Sequence, residues 1–546
     1  MSAGRRTRRA FAVALAAVGV LAVGPALTGA ASGPAASRAP ATSGGGGGGG
    51  TLVIGKSFDL ATLDPGREYE TSGNIIVPAI YDTLLTFENN DVSEPKPSLA
   101  TSWEVNDDAT EYTFTLRDDA VFSDGTPLTA TDVAFSLNRM RELKGNPSFL
   151  LEGVTAEAKD DTTVVLTSEQ PNPALPRILP TPALGIVNSK VVIANGGTDQ
   201  PGADTADTAE EYLNSTSAGS GPYLLESFST TSETVIARNP AYVGPTPATF
   251  DRIVFRNSDG TTQAIDVQNG NADIVMDLAS DQLSSLRNAD GLTIDETASP
   301  TIFFLFANAD SSVSEVTSNP DFVEAVRYGL DYAGLLDLAG AGAVQAPGVI
   351  PDSFLGALTP DQVVVRDVDR AKAALARCDC ADATVQLEYP SDLTANGLAF
   401  GPLAERIEAN LDEVGIKVEL VPGPTATTLE NYRAGKEQMG LWLWNPDYPD
   451  PQDYLAFGPG QLVGLRAGWA EGDAPDIEAI AQQAATSVDD AERGPLYQQF
   501  QQQLNESGPF FPLFQPEAAV VSVTDRVTGA EFNPSLTLDV RRLAPA

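Results

Sequence analysis

Pro97-Ser98-Leu99-Ala100-Thr101-Ser102-Trp103-Glu104-Val105-Asn106-Asp107-Asp108-Ala109-Thr110-Glu111-Tyr112-Thr113-Phe114-Thr115-Leu116-Arg117, followed shortly by Phe122-Ser123-Asp124-Gly125-Thr126-Pro127-Leu128-Thr129-Ala130-Thr131-Asp132-Val133, is the stretch on which the fold turns. Tyr112, Phe114 and Leu116 alternate with threonines at the period of a strand with one buried face. Asp124-Gly125-Thr126-Pro127 has turn chemistry and reverses the chain. Thr129 with Asp132 three residues on forms a capping box, and Val133, Leu137 and Met140 then share one helical face. Strand, turn and helix in that order predict an α/β unit whose helix packs on the preceding sheet.

The same mixture continues in both directions. Thr51 to Ile54 reads as the first strand. Leu403, Ile407, Leu411 and Val414 have helical spacing, Gly415 suits the helix end, and Ile416-Lys417-Val418-Glu419-Leu420 alternates as a strand. Leu496, Phe500 and Leu504 mark another amphipathic helix. The apolar, proline-bearing Pro509-Phe510-Phe511-Pro512-Leu513 after it is expected to carry the chain back between structural units. At 546 residues, 42% hydrophobic and 20% charged, the chain is globular and long enough for several domain-sized cores.

Residues 1–50 have a different composition. Arg5, Arg6, Arg8 and Arg9 precede an apolar run from Ala10 to about Leu27, which reads as an export signal over residues 1–30, and Thr7-Arg8-Arg9-Ala10-Phe11 is similar to a twin-arginine motif. An uncleaved anchor is the competing reading of that run. Residues 31–50 are a Gly/Ala-rich linker ending in seven glycines, Gly44 to Gly50. Without residues 1–50 the chain has 28 basic against 74 acidic side chains, a net charge of −46. That field repels nucleic acid and anionic membranes.

Residue types exclude much chemistry. There is no histidine, so Ser-His-Asp triads, Cys-His dyads and His-bearing zinc sites are impossible. Only Cys378 and Cys380 carry thiols; they either form a small disulfide or stay reduced, and two sulfurs alone hold no metal. Gly50-Thr51-Leu52-Val53-Ile54-Gly55-Lys56-Ser57 fits the phosphate-loop pattern, but a glycine linker precedes it and no helix start follows, so nucleotide binding is rejected. Neither a catalytic residue, a metal site nor a cofactor is expected.

The opening block resembles the family 5 extracellular solute-binding proteins, the dipeptide, oligopeptide and nickel receptors of ABC importers. Collinear matches support the resemblance: Leu63-Asp64-Pro65, Tyr81-Asp82-Thr83-Leu84, Gly219-Ser220-Gly221-Pro222-Tyr223, Asn239-Pro240-Ala241-Tyr242 and Trp444-Asn445-Pro446-Asp447-Tyr448-Pro449-Asp450-Pro451. It implies a two-lobed α/β fold of the periplasmic-binding-protein kind with a hinge. The larger first lobe, residues 51–300 and 510–546, would have an extra subdomain and be completed by the C-terminal tail, and the second lobe would span 301–509. The crossings are placed near Pro300 and Pro509. It also implies an exported, monomeric receptor, extracellular or held at the cell envelope. Such a receptor would capture a small molecule or short peptide for an ABC permease and bind no nucleic acid. Two departures matter. The family's lipid-bearing cysteine after the signal is absent, and Val323 in Phe322-Val323-Glu324-Ala325 stands where the family carries an arginine.

In peptide-binding relatives the aspartate of a Trp-x-x-Asp-Tyr motif holds the ligand's ammonium, which the resemblance assigns to Asp447. Trp444 and Asn445 adjoin it. Trp442 and Trp444 share one strand face, and Trp444 is assigned to the cleft and Trp442 to the core. Asp450 is assigned a turn role. By spacing after Leu63-Asp64-Pro65, Tyr69, Glu70 and Thr71 are placed along the ligand. The same fold holding a sugar or metal chelate, and a secreted hydrolase using paired carboxylates, are the alternatives.

Overall fold

The computed structural model describes residues 49–378, 380 and 383–546. The expected export signal and nearly all of the linker lie outside the described residues.

Two mixed sheets organise the chain. The seven-stranded sheet runs Leu292–Ala298, Glu517–Val523, Ile274–Val275, Thr51–Lys56, Arg252–Asn257, Glu233–Arg238, Tyr223–Ser227. Thr51–Lys56 lies parallel to both its neighbours. The six-stranded sheet runs Val344–Gln345, Phe510–Gln515, Ile302–Ala307, Met439–Trp444, Thr384–Pro390, Lys417–Gly423. A separate antiparallel sheet of four strands, Ala100–Val105, Glu111–Leu116, Thr163–Ser168 and Val154–Ala158, is packed by the helix Ala130–Glu142. Thr129 caps that helix through Asp132, as its capping box predicts, with Val133, Leu137 and Met140 buried.

Ile302–Ala307 is buried along its whole length because both faces of its sheet are covered. Phe303 and Leu305 face one core cluster, while Ile302, Phe304 and Phe306 face another, so period two distributes one apolar run between two cores. Leu403, Ile407, Leu411 and Val414 are buried on the helix Phe400–Val414. Gly415 ends that helix at φ 99°, a left-handed conformation that favours glycine.

The chain passes between the two large sheets at residues 299–301 and again at Pro516. The second passage corrects an expectation: Phe510–Gln515 does not lead back to the first sheet but is a fully buried strand of the six-stranded one, paired with Ile302–Ala307. Buried Arg327 fixes the start of this strand, donating to the carbonyls of Gly508 (2.6 Å) and Phe510 (2.9 Å). The two passages lie side by side: Ser299 N donates to Pro516 O at 2.8 Å and Gln515 Nε2 to Ser299 O at 3.0 Å.

Cys378 and Cys380 form a disulfide at the end of the helix Val368–Cys378. Lys56, the lysine of the phosphate-loop look-alike, closes the first strand and is held by Asp277 at 2.6 Å; the next helix begins only at Thr71. Among the described residues, no helix is long and apolar enough to cross a membrane.

Candidate ligand-binding site

The segment leading to Tyr69 is fixed by a buried guanidinium. Arg139, on the helix Ala130–Glu142, donates to Asp64 through Nη1 (2.8 Å) and Nη2 (2.6 Å), and to Asp207 through Nε (2.7 Å) and Nη2 (2.9 Å). Burial alone would raise the Asp207 carboxyl, but Arg139's hydrogen bonds and charge outweigh it and hold it below the ordinary range. Asp64 O then accepts from Arg67 N and Glu68 N, and the turn this makes delivers Tyr69 to the surface facing the six-stranded sheet.

Tyr69 and Glu70 are half-buried and Thr71 is exposed. Thr71 is committed to the fold: its hydroxyl (2.7 Å) and amide (3.1 Å) both donate to Asp59, which also accepts from Ser72 N and so starts the helix Thr71–Ile80. Glu70 N donates to Glu68 Oε1 at 2.6 Å, and Glu70 Oε2 accepts from Tyr69 N at 3.2 Å.

On the other side, the strand Met439–Trp444 ends in the loop carrying Asp447, and the short 3-10 helix Pro451–Phe457 follows. Trp444 is half-buried, its Nε1 donating to Asp453 Oδ2 at 2.9 Å, which also accepts from Asp447 N at 3.2 Å. Trp442 is in the core, stacked on Tyr432 with its Nε1 bonded to Glu437. The Tyr69 hydroxyl donates to Asp447 Oδ1 across the two halves of the chain. Asn445 is exposed and engages the first passage, its Oδ1 accepting from Thr301 Oγ1 at 2.7 Å. The structure therefore brings Tyr69, Asp447 and Trp444 together, while the side-chain bonds of Asn445 and Thr71 are made to Thr301 and to Asp59.

The halves touch at a second place. The hairpin of Thr394–Ala395 and Leu398–Ala399 turns through Asn396 (φ 50°) and Gly397 (φ 71°). A Cβ on Gly397 would stand 2.9 Å from Ala279 Cα, so only glycine allows this approach to the seven-stranded side.

The three aspartates of this loop have different surroundings. Asp450 caps the helix Pro451–Phe457 by accepting from Gln452 N, which is the turn role expected of it. It also pairs with Arg493 at 2.6 Å and Arg177 at 3.5 Å. Arg177 in turn reaches Asp490 at 2.6 Å and Ser93 O at 2.7 Å. Among the described residues neither Asp447 nor Asp453 forms an ion pair; their donors are the Tyr69 hydroxyl, the Trp444 indole and the Asp447 amide, and the two carboxyls share a side-chain hydrogen bond with each other. Burial raises both carboxyls, and the Asp447 charge raises Asp453 further. Asp453 was not expected at the site; its signal was the i, i+3, i+6 spacing of Asp447, Asp450 and Asp453, which the prolines between them disguise as turn chemistry. Among the described residues no group of three or more Cys, Asp or Glu side chains is placed to hold a metal ion.

A family profile for bacterial extracellular solute-binding proteins, family 5 (middle region), matches residues 94–460. The chain is 27% identical over 493 residues to the probable D,D-dipeptide-binding periplasmic protein DdpA of Escherichia coli K12, covering 89% of this chain and 92% of that one. Its fold matches that of the ABC transporter substrate-binding protein CtaP of Listeria monocytogenes, with a TM-score of 0.78 and 20% identity over 91% of this chain and 99% of that one. It also matches the periplasmic binding protein DppA of Helicobacter pylori, solved with the peptide STSA, with a TM-score of 0.72 and 21% identity over 91% and 98%. Two sheets joined by two crossing segments that lie side by side, with an acidic loop of one half facing a tyrosine of the other, are the features of a two-lobed solute-binding protein. The chain belongs to the bacterial extracellular solute-binding proteins, family 5. The relatives are binding proteins rather than enzymes.

Proposed function

We propose that this protein is the receptor of an ABC importer, capturing a peptide-like solute between two lobes outside the cytoplasm and delivering it to the permease without chemical change. The observation that carries this reading is the contrast within one loop. Asp450 is neutralised by two arginines, whereas Asp447 and Asp453 meet only neutral donors at the surface where Tyr69 crosses from the other lobe. A carboxylate in that setting is completed by an ammonium, a charge-assisted bond worth about 1.5–3 kcal/mol net. A sugar or a neutral metabolite would leave the pair without a counter-charge.

In this reading the first lobe comprises residues 51–300 and the tail from Glu517, and the second lobe residues 301–515, hinged at 299–301 and 516. Tyr69 and Asp447 meet where the lobes close, Trp444 walls the ligand's first side chain, and Glu70 and Asn445 line the entrance. Closure energy comes from contacts made only in the closed state. The protein acts as an exported monomer at the cell envelope or outside it, and needs no cofactor.

Native mass spectrometry of freshly purified protein tests the reading. The expected result is a retained peptide-like solute that bears a free amino group; a retained oligosaccharide would contradict it.

A further inference from the structure

A second polar link joins the two halves, and it is ionic. On the helix Asp490–Ser507 of the proposed second lobe, Arg493 donates through Nη2 to Asp450 Oδ1 (2.6 Å) and through Nη1 to Asp490 Oδ1 (3.0 Å). One guanidinium there serves two carboxylates, so one negative charge is left over. Asp450 is fully buried, and among the described residues its Oδ2 accepts no hydrogen bond; the Asp490 side chain is 44% exposed.

The missing cation comes from the other half. Arg177 lies on the short helix Leu175–Ile178, whose Leu175 and Ile178 are buried in the core of the four-stranded sheet. Ser93 O, on the same side of the cleft, accepts from Arg177 Nε (3.1 Å) and Nη2 (2.7 Å) and so orients the guanidinium. It then meets Asp490 Oδ2 at 2.6 Å and Asp450 Oδ2 at 3.5 Å, with 8% of the side chain exposed. Burial would raise the Asp490 carboxyl, but the hydrogen bond and charge of Arg177, followed by those of Arg493, hold it below the ordinary range. Two cations and two anions complete this group only when the halves are together.

We infer that Arg177 is a positioning residue for closure: it raises affinity for every solute by stabilising the closed arrangement, and it touches none of them. The inference rests on the two-lobed reading above, not on the solute being a peptide. Each of its three nitrogens faces a protein acceptor, which leaves the choice of solute to other residues. A contact made only in the closed state enlarges the closed fraction, and apparent affinity scales with that fraction. Because the contact needs no solute, it draws the empty lobes together as well.

Small-angle X-ray scattering of the solute-free protein and of its Arg177→Met and Arg177→Glu variants is the test. Both variants lose the Ser93 bonds, but only glutamate sets a third carboxylate against Asp450 and Asp490. The radius of gyration is expected to increase in Arg177→Met and to increase further in Arg177→Glu, with circular dichroism unchanged. Asp490→Asn, which leaves the Ser93 bonds in place, should give a smaller increase and decides the question if the Arg177 variants do not fold. Radii equal to that of the unmodified protein overturn the inference, and so does an equal increase for methionine and glutamate. In stopped-flow binding, Ala-Ala-Ala and N-acetyl-Ala-Ala-Ala should both dissociate from Arg177→Met faster by the same factor, roughly three- to tenfold, with association unchanged. Unequal factors also overturn it, because they place Arg177 on the solute. If neither peptide binds the unmodified protein, the peptide reading fails and the scattering result still decides the role of Arg177.

Discussion

Asp447→Asn is expected to weaken binding of a peptide with a free amino terminus roughly 10- to 100-fold, and that of its N-acetylated counterpart by less than about threefold. The substitution keeps the shape of the side chain and an oxygen that can accept from the Tyr69 hydroxyl, so contact between the lobes survives. What it removes is the charge that an ammonium needs in a half-buried site. Asparagine also brings an N–H₂ group toward the ammonium, which adds repulsion to the lost attraction. An N-acetylated peptide has no ammonium to lose. Equal losses for both peptides would remove Asp447 from this role and leave it a structural partner of Tyr69.

The second large effect concerns stability. Arg139→Met should destabilise the protein by about 3–5 kcal/mol, because it strips the buried Asp64 and Asp207 carboxylates of their four shortest guanidinium bonds and leaves them to share only the more exposed Arg67, at 3.3 and 3.2 Å. Both side chains are inaccessible and the guanidinium is 2% exposed. Adding Asp64→Asn and Asp207→Asn to Arg139→Met should restore most of the loss, since buried ion pairs give little net stability over a neutral replacement. Urea unfolding of the single and triple variants checks this; a single variant within about 1 kcal/mol of the unmodified protein would contradict it. The same network turns the chain toward Tyr69, so the single variant should also bind peptide more weakly.

Local chemistry made much of this architecture legible in the sequence. The capping box at Thr129 and Asp132, the helical spacing from Leu403 to Val414 and the terminating Gly415 are each specified by residues within a few positions of one another. Asp447 and Trp444 were readable because a resemblance carried them. What stayed hidden depended on distant partners. Asp64 meets Arg139 75 residues away and Asp207 meets it 68 residues away, and nothing in Leu63-Asp64-Pro65 indicates a cation. Pro509 to Leu513 is ambiguous in sequence because an apolar run with prolines marks equally well a crossing or a strand covered on both faces. Its burial by two cores in the second lobe decides for the strand. Asn445, adjacent to the motif in sequence, makes its side-chain bond to Thr301 because the loop leaves the sheet beside the first crossing. Asp453 is indistinct in sequence because three aspartates among prolines all look like turn formers; the distinction among them comes from Arg177 and Arg493, which reach Asp450 alone of the three.

On the proposed function the two lobes close on a solute bearing an amino terminus. The most direct measurement is calorimetric titration of the unmodified protein with a tripeptide, the same tripeptide N-acetylated, and a disaccharide. The expected result is saturable binding of the free tripeptide, affinity at least about tenfold lower for the acetylated form, and no heat with the disaccharide. Saturable binding of the disaccharide with none of either peptide would contradict it.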